Sequence, residues 1–367
     1  MSTIFHVYPY GTSAAATTTT KTKVVHFLRH AQGTHNVRHE YRHRSNFDAP
    51  LTALGKQQCR VLARRLATGG NDGGPSLSPA LYDLLHASSP EDRLFVTSPL
   101  RRCIQTATLA LPPLLVRSST TKNEKNKNKN NNGDDDDDDD DDDDPIIRLV
   151  AHDAIRETVN FNCDRRRTIS EIIQQLEEEQ LDDDDDDHDH HDDAHDETTA
   201  TRKAKIDFQH IEHDHDETWR YYQHEYGFGC DETYTGHRES GEIHVVAERG
   251  RAFFRWLSQQ PQRHVVVCTH SAFLRCLKNY GHRRKSDVDE EKNDTNDGKN
   301  TDVTGVPHLP PQHRSIHPDS VVPVLQYHGG DGDGDGDDDD NNDNAFAQEM
   351  QRDYENCEIR SMVIAFE

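Results

Sequence analysis

The chain has 367 residues, of which 32% are apolar and 30% charged, with a formal net charge of −26 and a mean hydropathy of −1.00. Residues 122–144, 182–197 and 331–343 carry net charges of −8, −11 and −8, so the rest of the chain is close to neutral and offers no broad basic face for nucleic acid. No stretch approaches the roughly 20 apolar residues that a bilayer-spanning helix needs, and no membrane partner is expected.

Residues 1–22 read as a flexible Thr-rich leader without the basic start and long apolar run of a secretory signal; organelle targeting is the alternative. The seven cysteines (Cys59, Cys103, Cys163, Cys230, Cys268, Cys276 and Cys357) are odd in number, scattered and without a CxxC pair. That usage fits a reduced compartment, and a cytoplasmic location is expected.

Taken in order, Val24–Leu28 is a short apolar run read as a buried strand. Thr52 is placed to cap a helix over Ala53–Ala67, where Leu54, Val61, Leu62 and Leu66 follow a helical period. Residues 68–79 read as loop. Arg93–Thr97 is a second strand, and Pro99 suits the first turn of a helix that continues to Leu111. Residues 117–144 have almost nothing to bury and are expected to be disordered. Ile146–Ala151 is a third strand and Thr168–Leu181 a helix. Ile206–Tyr226 is aromatic-rich and mixed, suggesting a helical cap, and Asn36–Phe47 and Ile206–Tyr234 are expected to build the pocket above His30. Ser240–Gln259 carries Val246, Ala247, Phe253, Phe254 and Leu257 on one stripe, the mark of an amphipathic helix. His264–Cys268 is a fourth strand, Ser271–Asn279 a helix, residues 281–344 a long polar insertion, and Ile359–Phe366 a closing strand.

Alternating strands and helices predict a three-layer α/β/α sandwich around a mostly parallel sheet. Without the leader and tracts, on the order of 230 residues remain, a size that suits one domain. The expected organisation is a leader over 1–22 and a single domain over 23–367, interrupted by acidic insertions at about 117–145, 182–204 and 282–345.

The chemistry-bearing residues follow the strands. Arg29-His30 ends the first, and Ser98 follows the second with Arg102 in the next helix. Arg156-Glu157 comes soon after the third, and Thr269-His270 ends the fourth. An Arg-His pair alone means little, since it recurs at Arg38-His39, Arg42-His43 and Arg263-His264. In an open α/β sheet, however, ligands bind outside the carboxyl ends of the strands. Parallel strands would bring two histidines, two arginines and a carboxylate to one edge. A neutral imidazole is a good nucleophile toward phosphorus, and guanidiniums grip phosphoryl oxygens as a fork. A second imidazole can meet charge that develops on those oxygens. A carboxyl group can protonate a leaving oxygen and then activate water. These groups suffice without a metal or organic cofactor.

Residues 187–195, rich in Asp and His, and 331–336, which imitates the start of a calcium loop, are read as solvated tract, because a tract lacks fixed ligand geometry and the second lacks the closing Glu.

From Arg29-His30-Ala31 to Asn36, through LTALGKQQ at 51–58, TSPLRRCIQTA at 97–107, Glu157, CTHSAFL around His270 and NCEIRSMVI near the end, the chain resembles the histidine phosphatase superfamily in its phosphatase-like branch. The resemblance runs from Lys23 to the end apart from the tracts. It implies a phosphoglycerate mutase-like fold and a phosphatase with His30 as the phosphorylated residue. Arg29, Asn36, Arg102 and His270 would hold the phosphoryl group, and Glu157 would serve as proton donor and then base. Arg165 and Arg166 are further candidates for contacting an anionic, small phosphorylated substrate. Ala31 departs from the family's Gly and would crowd the loop if its φ were positive. The segment after Glu157 is not the glycolytic mutase pattern, which favours a phosphatase. A phosphoglycerate mutase-type phosphotransferase and an inactive binding module whose acidic tracts recruit basic partners are the alternatives.

Overall fold

The computed structural model describes residues 3–12, 21–71, 73, 76–114, 147–185, 204–227, 236–282, 322–329 and 340–366. Its frame is an eight-stranded sheet in the order β5-β4-β3-β6-β2-β8-β1-β7. In chain order the strands are β1 (Phe5–Tyr8), β2 (Lys21–Arg29), β3 (Arg93–Thr97), β4 (Ile147–His152), β5 (Ala204–His210), β6 (His264–Thr269), β7 (Leu325–Tyr327) and β8 (Ile359–Phe366). From β5 across to β2 every neighbouring pair is parallel. β8 then runs antiparallel to both β2 and β1, and β7 pairs parallel with β1. The sheet is thus mostly parallel, as expected.

The helices are α1 (Ala53–Ala67), α2 (Pro79–His86), α3 (Arg101–Ala110), α4 (Ile169–Asp185), α5 (Glu217–Tyr226), α6 (Ile243–Gln259), α7 (Ser271–Asn279) and α8 (Asp340–Gln351). β6 shows why its sequence is a continuous apolar run. Val265 and Val267 pack on one face against Phe253, Phe254 and Leu257 of α6 and Phe273 of α7. Val266 and Cys268 pack on the other face with Leu62 and Leu66 of α1, Leu84 of α2 and Ala107 of α3. A parallel strand covered on both faces has no wet side on which to place polar residues.

Thr52 caps α1 as the sequence predicts, its hydroxyl accepting the Gly55 N–H at 2.9 Å. Gly55 itself lies against the loop after His30, where an added Cβ would come within 2.2 Å of the Gln32 carbonyl oxygen. The glycine therefore lets α1 dock directly on the loop after His30, and the Thr52 N–H bonds that same carbonyl at 2.9 Å.

Three expectations need correction. The leader is not uniformly unstructured: β1 pairs His6 with Ala365 and Val7 with Ile364, and Phe5 and Val7 are buried. Four residues are too few to show strand periodicity, and their partner lies at the far end of the chain. The insertion over 282–345 contains β7, whose Leu325 is buried, and α8 begins inside it at Asp340. Ile206–Tyr226 is not a cap of one kind but the edge strand β5 followed by α5, whose Trp219 and Tyr222 pack on Val159. α2, over residues that the sequence left unassigned, is an additional helix capped by Ser78. The expected disorder at 117–144, the tracts over 187–195 and 331–336, and Cys230 lie outside the described residues. Among the described residues no helix is long and apolar enough to cross a membrane.

Candidate active site

Strand pairing sets the site. β2 and β6 pair with Arg29 opposite Thr269, and the His30 N–H continues the ladder to the Thr269 carbonyl at 3.0 Å. β3 and β6 pair with Thr97 opposite Cys268, after which the Ser98 N–H bonds the Cys268 carbonyl at 2.9 Å. The Thr269 hydroxyl donates to the Ile155 carbonyl at 2.6 Å, tying the turn after β4 to the end of β6. The segments bearing His30, Ser98, Glu157 and His270 thus leave the same edge of the sheet, at the carboxyl ends of parallel strands.

His30 is 2% exposed. Its Nδ1 lies 2.7 Å from the Ala31 carbonyl oxygen. A carbonyl only accepts, so Nδ1 carries the proton and Nε2 keeps the lone pair. Burial, with Arg102 and Arg29 nearby, pushes the His30 pKa well below the ordinary value. The ring is therefore neutral near pH 7, the form a nucleophile needs. The His270 ring centroid lies 5.1 Å from that of His30, and His270 Nε2 bonds the Ser98 hydroxyl at 2.7 Å. Burial, then Arg102 and His30, push its pKa well down too.

Arg102 is buried in the first turn of α3; Nη1 donates to the Cys163 carbonyl at 2.7 Å and Nη2 to Asp164 Oδ1 at 3.2 Å. Asp48 supports the same helix end, its Oδ1 accepting the Arg101 N–H at 3.0 Å. Arg29 donates to the Tyr354 carbonyl at 2.5 Å. Glu157 accepts the Phe273 N–H at 3.0 Å and the Ala272 N–H at 3.3 Å, so its carboxylate rests on the N-terminus of α7, the helix that starts after His270. The Glu157 charge also acts on both Arg29 and Arg102. Asn36 Oδ1 accepts the Gly33 N–H at 3.0 Å, closing the short turn that follows His30.

A cavity of about 450 Å³ opens at this edge, lined by Arg29, Gln32, Asn36, Tyr41, Gln58 and Glu355 among others. A second, of about 490 Å³, is lined by 39–43 and Phe161 and shares His39 and Tyr41 with the first. The loop over 36–47 is latched to the one after Glu157: the Cys163 N–H bonds the Tyr41 carbonyl at 3.4 Å, and Tyr41 stacks on Phe161. Of Ile206–Tyr234, the described residues, 206–227, line neither cavity, and the remainder lies outside the described residues.

Two expected substrate contacts are not among the residues that line either cavity. Arg166 is buried, with Nη1 bonded to the Arg167 and Asp214 carbonyls and Nη2 to the His213 and His215 carbonyls. It fastens the segment before α5 and is not turned to the cavity. Arg165 stacks its guanidinium over Phe47 and Trp219, at 5.0 and 5.7 Å from the ring centroids. Ala31 has no positive φ and is fully buried in the core against the α1–α3 layer, so its methyl group is accommodated.

Sequence reading missed two residues here. Asp164 is the carboxylate on Arg102; burial foremost raises its pKa to about 6, against the lowering effect of Arg102. His35 is 4% exposed with its ring centroid 5.6 Å from that of His30. Its position one residue before Asn36 was the available signal.

The sequence profile of the histidine phosphatase superfamily (branch 1) matches residues 25–123. A phosphoglycerate mutase-like protein of Arabidopsis thaliana is 25% identical over 272 residues, covering 70% of this chain and 73% of the relative. Phosphoglycerate mutase-like protein 2 of the same plant is 25% identical over 288 residues, covering 71% of this chain and 66% of its own. Among solved structures, the ecdysone phosphate phosphatase from Bombix mori in complex with tungstate is 12% identical, with a TM-score of 0.33, covering 79% of this chain and 86% of that one. That superposition is too loose to bear on function. The matched profile begins in β2 and contains Arg29, His30, Asn36 and Arg102. Over the matched residues the chain is similar to the histidine phosphatase superfamily, and these plant relatives are phosphoglycerate mutase-like proteins.

Proposed function

We propose that the chain is a phosphoric monoester hydrolase acting on a small phosphorylated metabolite through a phosphohistidine on His30. The observation that carries this reading is the tautomer and setting of His30: Nδ1–H is held by the Ala31 carbonyl, and the ring is buried beside two guanidiniums and a second imidazole. Nε2 attacks phosphorus as the bond to the leaving oxygen breaks, and Glu157 gives that oxygen a proton. Water then attacks the phosphohistidine, Glu157 takes its proton, the N–P bond breaks and phosphate leaves. Arg29, Arg102, His270 and Asn36 hold or frame the phosphoryl oxygens throughout. The adjoining cavities, of about 450 and 490 Å³, suit a ligand of metabolite size.

The test is hydrolysis of an aryl phosphate in the presence of EDTA by the full chain and by His30→Ala. Activity that persists in EDTA and disappears in the variant supports the reading; equal activity in the variant contradicts it. Phosphate moved between hydroxyls of one sugar acid, with no inorganic phosphate released, would mark the mutase instead.

A further inference from the structure

A third imidazole stands at the nucleophile, and nothing in the scheme above uses it. His35 is 4% exposed, and its ring centroid lies 5.6 Å from His30 and 5.9 Å from Tyr41. Its inward pose depends on Gly33. A Cβ at Gly33 would stand 2.6 Å from both Cε1 and Nδ1 of His35, so only a residue without a side chain leaves room for the ring. The Gly33 N–H is in turn fixed by the Asn36 side chain at 3.0 Å. The turn from Gly33 to Asn36 therefore delivers the ring of His35 to the side of His30.

Once there, the ring has an unmet demand. Nδ1 is buried with no hydrogen-bond partner, an unfavourable state for a polar atom away from water. The titratable groups that act on His35 are Arg102, His30 and Arg29, and none is a carboxylate. With two guanidiniums and no carboxylate acting on it, the ring stands in surroundings that an anionic oxygen would complete.

We propose that His35 is a further ligand of the transferred phosphoryl group, its ring N–H donating a hydrogen bond to a phosphoryl oxygen while the group passes between the substrate and His30 Nε2. The proposal rests on the phosphohistidine reading of His30. It assigns His35 a direct contact with the reacting group, where a packing role would have it only fill space beneath Tyr41.

The test compares the full chain with its His35→Phe and His35→Gln variants on an aryl phosphate, with orthovanadate as a mimic of phosphorus in transfer. Phe keeps the bulk and removes the N–H; Gln restores a donor. The expected result for His35→Phe is a kcat lower by about 10²–10³-fold, the usual effect of removing one donor to developing charge. KM should change far less, vanadate inhibition should weaken by a similar factor, and His35→Gln should recover at least about tenfold of the lost kcat. A wild-type kcat in His35→Phe overturns the proposal, as does equal loss in both variants with vanadate inhibition unchanged. If thermal melting shows His35→Phe to be unfolded, a folded His35→Gln with no activity is likewise contrary. An active wild type whose His35→Phe variant is indifferent removes His35 alone. A wild type whose activity does not depend on His30 removes the underlying reading and this proposal together.

Discussion

His30 and His270 lie 5.1 Å apart, ring centroid to ring centroid, because β2 and β6 are parallel neighbours paired Arg29 to Thr269. The two imidazoles are separated by about two-thirds of the chain, and backbone register alone sets them side by side. A slip of one residue would turn every side chain of the strand to the other face. Because Ser98 holds Nε2 of His270 at 2.7 Å, the ring is fixed before substrate arrives. His270→Ala is expected to lower kcat by about 10²–10³-fold with a smaller change in KM, as for a group that acts on charge developing in transfer. Steady-state kinetics on an aryl phosphate checks this. A rise in KM with kcat intact would mean that His270 binds substrate and transition state alike.

Arg166 is expected to matter for stability and not for turnover. Its four bonds go to backbone carbonyls over 167 and 213–215, and removing the buried guanidinium unties the segment before α5 from them. Arg166→Ala should lose about 2–4 kcal/mol in urea unfolding, while kcat of the remaining folded protein stays near wild type. A folded, stable variant with a raised KM would return Arg166 to the substrate site.

Asp164 gives the site a titration. Burial raises its pKa to about 6 against the pull of Arg102, so above that pH the ion pair with Arg102 is intact and below it the carboxyl is protonated. The kcat/KM profile should therefore fall on the acid side near pH 6, and Asp164→Asn should remove that break. An unchanged break in the variant assigns it to another group.

Acid stability follows from the buried imidazoles. Burial, with a neighbouring imidazole in each case, lowers the pKa of His26 to about 3 and of His152 to about 4. Each is depressed in the folded state, so the unfolded chain binds more protons below about pH 6.5. Stability is therefore full above that pH and falls as pH drops from about 6.5 toward 4 and 3. Each such imidazole contributes on the order of 1.4 kcal/mol per pH unit within its window. Urea midpoints measured from pH 7 to pH 5 should decline, and His26→Asn should flatten the decline. A midpoint independent of pH across that range would contradict the assignment of neutral buried rings.

The legible parts of the fold were those whose signal is local. Val24–Leu28, Arg93–Thr97 and His264–Cys268 are apolar runs covered on both faces, and Thr52 and Gly55 mark a helix start by a hydroxyl cap and a close approach. β1 and β7 escaped because four-residue and three-residue strands exist only through distant partners. Arg166 looked like a substrate contact because the carbonyls that bind it, over 213–215, lie about 50 residues on and carry no sequence signature. His35 was masked by the many histidines around it, although Gly33 and Asn36 already flank it as the residues that fold it inward. Ala31, the departure from the family motif, is harmless because its φ is not positive and its methyl group fills core space.

The most direct measurement is rapid quenching of the full chain with a phosphate ester labelled on phosphorus, followed by mapping of the labelled peptide. The account predicts an acid-labile, alkali-stable phosphoryl group on His30 that forms and decays within turnover and is absent from His30→Ala. Turnover with no label on His30, or with label on another residue, would contradict it.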